Sequence, residues 1–211
     1  LQTLKAAQWR LTGGDAEAAR EALSLGLLDC LADPDPLLRD EIAFEALSAW
    51  MRARQLSVAT LQQIRVRLVA VLAEPPDAAG FRQPFAALAL AEVARVDRLQ
   101  PFLAAEERAA LVERGTRYLA GVRDYRGHDV REGWRHGVAH GADLMLQLSL
   151  DRTRVGADET IELKTINGAA APNLMAFLQA QRVRIVPVTG DAEHARELIS
   201  THAARLVLEI P

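Results

Sequence analysis

The chain has a single cysteine, Cys30, among 211 residues, so no disulfide can form within it. That thiol sits on an apolar helical face with Leu27 and Leu31, where it reads as a small buried hydrophobe rather than a nucleophile. Aromatic residues are scarce, at 5% of the sequence. No run approaches ~18 consecutive apolar residues, so no membrane span is expected. Neither sign of charge dominates: 25 Lys and Arg stand against 28 Asp and Glu, a net charge of −3. That balance argues against a nucleic-acid partner held by bulk positive charge. The sequence has no GxGxxG or Walker pattern, and no HExxH, so the common nucleotide and zinc-protease signatures are missing. No signal peptide is visible, and the chain begins at Leu1 rather than Met. Cytoplasmic residence is the default expectation.

What is present is a good core-former. Half of the residues are apolar and a quarter charged, which is the balance of an ordinary globular chain and not of a disordered one. Over the first two-thirds the pattern is helix, short polar break, helix. The spacing predicts helices over 3–11 and from Asp15 to about Ala32, the latter with Ala18, Ala22, Leu25 and Leu28 inward. Asp33-Pro34-Asp35-Pro36 is a hard break; Asp35 as N-cap and Pro36 at the first helical position open a helix to about Arg54. Leu38, Ile42, Ala46, Ala49 and Trp50 form its inner face. Ser57 caps a helix over 58–73, with Leu61, Ile64, Leu68 and Leu72 inside. Further helices run from Pro84 to about Val96 and from Ala105 to Val122. Arg52, Arg54, Arg65 and Arg67 read as solvated outer residues. There is no exact internal repeat, but hairpins of this rhythm fit HEAT or armadillo-style stacking.

The tail is different in kind. Residues 158–166 alternate Ile161, Leu163 and Thr165 against Thr160, Glu162 and Lys164, a strand pattern. Asn167-Gly168 is a turn signal, 172–181 a short helix, and Arg182–Val188 a buried strand. Residues 191–203 form an amphipathic helix, and 205–210 another strand. The expected grammar is β-α-β-α-β. The overall expectation is therefore a mainly α fold: stacked helical hairpins over 1–152, then a small α/β segment over 158–211. Gly190-Asp191, between strand and helix, is a weak candidate for anion docking. His194 and His202 read as surface residues.

The stretch least like helix filler is 124–150, DYRGHDVREGWRHGVAHGADLMLQLSL, which holds three of the five histidines and four glycines. Asp129 followed by Glu132 has capping-box spacing and predicts a helix over 130–149. On that helix His136, His140, Asp143 and Gln147 make a narrow polar stripe, beside a core-facing arc of Trp134, Val138, Leu144, Met145 and Leu148. Gly133, Gly137 and Gly141 recur every fourth residue, which implies close approach of another chain segment or a ligand along one edge. Two histidines one turn apart can ligate a divalent metal, with Asp143 as third ligand or as second-sphere acceptor. The same groups could carry acid–base chemistry. The bland alternative is a set of buried, hydrogen-bonded histidines tying the helix to the preceding loop. Asp124, Arg126, His128 and Asp129 form that loop, and Arg126 could pair structurally with Asp124 or Asp143.

The run DYRGHDVREGWRHGVAHGADL resembles the signature of an uncharacterised bacterial family catalogued as domain of unknown function 2785. Two upstream runs carry the same resemblance, DPDPLLRDEIAFEALSAWM at 33–51 and GFRQPFAALALAEVARVDRLQPFL at 80–103, so it covers roughly residues 30 to 150. It implies an all-helical, repeat-like fold and no established activity. This chain departs from it where Val122 or Arg123 stands in place of an acidic residue, and where the helical pattern stops near residue 150.

Two functional expectations follow. One is a binding or scaffold module that holds a protein partner on a concave helical face, which requires exposed apolar residues to gather on one surface. The other is a metal- or small-molecule-dependent enzyme, hydrolase-like, using His136, His140 and Asp143. It requires the stripe to line a cleft on which Asp124, Arg126 or His128 converge. Trp134 joins the ligand-contact candidates of either.

Overall fold

Apolar residues occur on every side of α6 (Arg82–Leu99), and the first part of the chain is built around it. Phe85, Ala87, Ala89, Leu90, Val93 and Ala94 are all buried. A helix hydrophobic all round must be enclosed. Its alanines let neighbouring helices come close. The computed structural model describes residues 2–150, 161–166, 183–187, 189, 193–194 and 207–209. It is mainly helical, and it divides into two compact units, Leu1–Ser149 and Leu150–Pro211.

In the first unit, α1 (Gln2–Ala6) ends where Gln8 and Trp9 take left-handed backbone angles, φ 53 and 63°. That turn buries Trp9 edge-on against Trp50, whose indole N–H donates to the Trp9 carbonyl at 2.8 Å. α2 (Ala16–Cys30) buries Ser24, Leu27 and Leu28, not Ala18 and Ala22, which are exposed. The Asp15 side chain makes no cap bond there. Asp35 does cap the next helix as expected, accepting from the Leu37 N–H at 2.9 Å with Pro36 in the first turn. This helix is α3 (Pro36–Leu38), a π-helical turn Arg39–Phe44, and α4 (Glu45–Arg52), run together as one rod. A π turn inside an α-helix commonly marks a local demand on side-chain direction; here the residue it redirects is Arg39.

Ser57 caps α5 (Val58–Val71), accepting from the Thr60 N–H at 3.2 Å. Leu61, Ile64, Leu68 and Leu72 are buried, as the spacing predicts. α7 (Ala105–Gly121) starts at Ala104, whose N–H donates to the Glu107 carboxylate at 2.9 Å. α8 (Gly137–Ser149) packs on both α6 and α7. The outer arginines are not simply solvated. Arg52 forms a two-point ion pair with the buried Glu92 of α6, and Arg65 of α5 bridges to Glu107 of α7. Arg67 donates to the Leu25 carbonyl of α2 at 3.3 Å. These cross-links join neighbouring helices. The half-buried Glu107 to Arg65 contact also holds the Glu107 carboxyl low, after the larger effects of the Ala104 N–H and Gln62.

The second unit contains three parallel strands, β3 (Ile161–Ile166), β4 (Val183–Pro187) and β5 (Val207–Glu209), in the order β4-β3-β5. Ile161 stands opposite Val183, and Lys164 opposite Val207. The connections expected between them, helices over 172–181 and 191–203 and the Asn167-Gly168 turn, lie outside the described residues, apart from Glu193 and His194, which are helical. Gly190, Asp191 and His202 lie outside them too.

Candidate functional site

The helix expected over 130–149 starts only at Gly137. Residues 128–134 instead form a tight antiparallel hairpin, β1 (His128–Asp129) and β2 (Gly133–Trp134), with His128 opposite Trp134. Asp129 makes the bonds of an N-cap, accepting from the N–H groups of Arg131 and Glu132 at 2.8 and 3.0 Å. Those two bonds hold its carboxyl below the usual range. The same local chemistry serves a turn as well as a helix start. Propagation stops at Gly133, which takes φ 74°. At that point Pro36, Arg39 and Asp40 press in: a Cβ on Gly133 would lie 2.8 Å from the Arg39 Nη2 and from Asp40 Oδ2.

Two buried arginines dock this arm on the helical body. Arg39 is fully buried and fully engaged. Its Nε and Nη2 pair with Asp40, Nη1 donates to the Asp33 and Pro34 carbonyls, and Nη2 reaches the Glu132 carbonyl at 2.6 Å. Arg135, 4% exposed, donates to the Ala79 carbonyl at 2.7 Å and to Glu132 at 2.7 Å. The Arg39 and Arg135 guanidinium carbons stand 3.8 and 4.5 Å from the centroid of one ring, Phe81. Desolvated cation–π contacts of this kind contribute about 2 kcal/mol each. Arg126 adds a third tie, bonding Asp124 through both oxygens and reaching the Ala78 and Ala79 carbonyls.

Along the arm the aromatic and imidazole rings form a ladder. His128 lies 4.6 Å from Trp134, Trp134 lies 4.3 Å from His136, His136 lies 6.1 Å from His140, and His140 lies 5.2 Å from Phe85 of α6. His128 and Trp134 are exposed, His136 half-buried, and His140 buried. His136 is not on the helix. It takes φ 47°, and its carbonyl receives the first helical bond of α8 from the His140 N–H at 2.9 Å. The His140 Nδ1 is buried and has no hydrogen-bond partner. Burial pushes its pKa down to about 4, and His136 adds to the shift. His140 is therefore neutral at physiological pH.

Asp143 does not join the imidazoles. It is exposed, and its carboxyl is pushed up by partial desolvation and then by Glu92. Among the described residues no group of three or more His, Cys, Asp or Glu is placed to hold a metal ion. The arc expected to face the core is half right: Leu144 and Leu148 are buried, but Trp134, which lies in the hairpin before the helix, is 48% exposed, and Val138, in the first turn of α8, is 45% exposed. The close approach implied by the glycines is met by α7. A Cβ on Gly137 would meet the Tyr118 hydroxyl at 3.3 Å, and one on Gly141 the Leu119 and Tyr118 side chains at 2.9 and 3.1 Å. Tyr118 donates to the Gly137 carbonyl at 3.1 Å, and burial pushes its phenol well up, Asp124 adding to it.

Beneath the loop that leads into the arm is a cleft of about 680 Å³. Its walls are the turn after α5, the start of α6, the C-terminal end of α7 and residues 122–126, with Gly137 at the inner end. Asp124 and Arg126 line it; His128, Trp134, His136, His140 and Asp143 do not.

Residues 68–190 match the family described as protein of unknown function, DUF2785, over more than half of the 211 residues. The chain belongs to that family. No curated protein and no solved structure matches it. The DUF2785 match takes in the cleft, the arm and α8. It also corrects the extent of the resemblance: it starts after the 33–51 run and continues past residue 150 through β3 and β4. The residues that sequence reasoning missed are Arg39, Phe81, Arg135 and Tyr118. A signal existed for two of them, since an arginine directly after an apolar Pro36-Leu37-Leu38 start, and one between Trp134 and His136, are both out of place on a solvated face.

Proposed function

We propose that this DUF2785 chain is a binding module of stacked helical hairpins followed by a β-α-β-α-β segment, and that its recognition surface for a protein partner is the arm at 125–138. One observation carries this reading. Of the eight large hydrophobics exposed among the described residues, four, Tyr125, Val130, Trp134 and Val138, fall on that short stretch, with Val130 at 90% exposure on the hairpin tip, whereas Leu37, Val58, Val66 and Leu99 are scattered singly over the helices. The arm is not a loose loop: Arg39, Arg135 and Arg126 fix its backbone to the helical body. A rigid platform carrying exposed apolar and aromatic groups loses little conformational entropy on binding. The heteroatoms do not favour catalysis. A hydrolytic reading needs His136, His140 and Asp143 on one ligand or metal ion, whereas His140 is buried and packs on Phe85, and Asp143 is exposed and not grouped with the imidazoles among the described residues.

The test is affinity capture by the intact chain beside Trp134→Ala and Val130→Ser variants, with melting temperatures measured in parallel. The expected result is a stoichiometric partner retained by the parent and lost from both variants at unchanged melting temperature. Equal capture by all three would move recognition elsewhere on the molecule.

A further inference from the structure

The cleft below the arm differs in chemistry from the arm's outer face, and its charges are unevenly spent. Asp77 uses its carboxylate on the N–H groups of Gly80, Phe81 and Arg82, at 2.8, 3.2 and 3.1 Å, capping the start of α6. Asp124 is spent on Arg126, and Arg117 on Glu113. Arg123 is different. One nitrogen, Nη1, donates to the Ala120 and Val122 carbonyls at 2.9 and 2.8 Å, closing the end of α7. Among the described residues no carboxylate pairs with it. Both negative charges of the lining are therefore neutralised or capped, and one guanidinium keeps free donors. The rest of the wall is mostly apolar and aromatic, from Leu72, Pro76, Pro84, Val122, Tyr118 and Tyr125, with Gln83 donating to the Glu74 carbonyl. At about 680 Å³ the cleft has the volume of an ordinary small-molecule site.

We propose that this cleft binds a small organic anion: a flat or branched apolar body seated between Tyr118, Val122 and Pro84, with one carboxylate-, sulfonate- or phosphate-type group on Arg123. A guanidinium fork with free donors suits such a planar acceptor, and a charge-assisted hydrogen bond separates the anion from its neutral analogue by about tenfold. The structure also supplies a way to close the site without disturbing the fold. Gly121 lines the cleft, its backbone is ordinary, and a Cβ added there would meet nothing within 4 Å. Gly121→Leu would narrow the cleft and favour the last turn of α7.

The probe is anilinonaphthalene sulfonate, an aryl anion that fluoresces when desolvated, titrated into the intact chain beside phenylnaphthylamine, which has the same rings without the charge. The expected result is one saturable site for the sulfonate, about tenfold tighter than for the neutral amine. Arg123→Gln should remove that preference and leave the amine unchanged, Arg123→Lys should retain it, and Gly121→Leu should abolish both, with circular dichroism confirming that each variant keeps the parent fold. Equal binding of the two probes by the parent overturns the proposal, as does sulfonate binding that survives Gly121→Leu or Arg123→Gln. No saturable sulfonate binding overturns it as well. Because Trp134 and Val130 are absent from this site, loss of partner capture and loss of the anion are read independently.

Discussion

The partnerless Nδ1 of His140 makes a pH prediction with a definite sign. The folded pKa is about 4, below the ordinary value of 6.5, because burial disfavours the imidazolium. Between those values the unfolded chain binds a proton that the folded chain refuses. Stability due to this group is therefore fully present above about pH 6.5 and is lost as the pH falls toward 4, at up to about 1.4 kcal/mol per pH unit. Urea melts between pH 7 and 4.5 should show that slope, and His140→Phe should flatten it; an equal slope in the variant would remove His140 as its source. Arg39 makes the other residue-scale prediction. Arg39→Ala leaves Asp40 and the Asp33, Pro34 and Glu132 carbonyls without their donor and should cost about 3–5 kcal/mol by denaturant unfolding. Arg39→Met restores the volume but not the bonds, and should recover only part of the loss. The sequence marked the histidines because histidine is rare and conspicuous. It did not mark Arg39, whose importance depends on a carbonyl 93 residues away. No local pattern carries that information.

At the level of elements, the helices with regular apolar spacing were legible, and the arm was not. α5 shows why the first is so: Ser57 supplies its cap, and Leu61, Ile64 and Leu68 fall inward at helical spacing, so propensity, cap and pattern agree. Residues 128–136 show the opposite case. Asp129 and Glu132 have the spacing of a helix start, yet the chain folds back because Gly133 admits a left-handed backbone and Arg135 is drawn inward to Ala79 and Phe81. Tertiary contact overrode a local preference worth at most about 1–2 kcal/mol. The arm, the loop at 124–126 and the start of α8 all lie within the stretch 124–150 that the sequence singles out, but the geometry of that stretch was not legible. Gly133→Ala tests this account. It adds left-handed strain of about 1–2 kcal/mol and a Cβ that Arg39, Asp40 and Pro36 leave no room for. The melting temperature should fall by several degrees, with the loss read locally as faster amide exchange over 127–136. Uniformly faster exchange across α2 to α8 would mean that the hairpin is not a separable element.

Across the whole molecule, the mainly helical character was readable, because a hydrophobic period of 3.6 needs no long-range information. The division after Ser149 carries an energetic consequence. Among the described residues, every buried hydrophobic side chain lies between Trp9 and Leu148, and all of them form one cluster around α6. A core of that size is the largest favourable contribution to stability, and among the described residues all of its members precede residue 149. A chain ending at Ser149 should therefore melt in one cooperative transition and keep its near-ultraviolet circular dichroism from Trp9 and Trp50. The amides of α6 should exchange slowest, because opening them requires opening the whole unit. If the shortened chain instead melts over a broad range, or if α6 exchanges as fast as α1, the first unit depends on the second for its stability, and the boundary after Ser149 is one of contact density but not of folding.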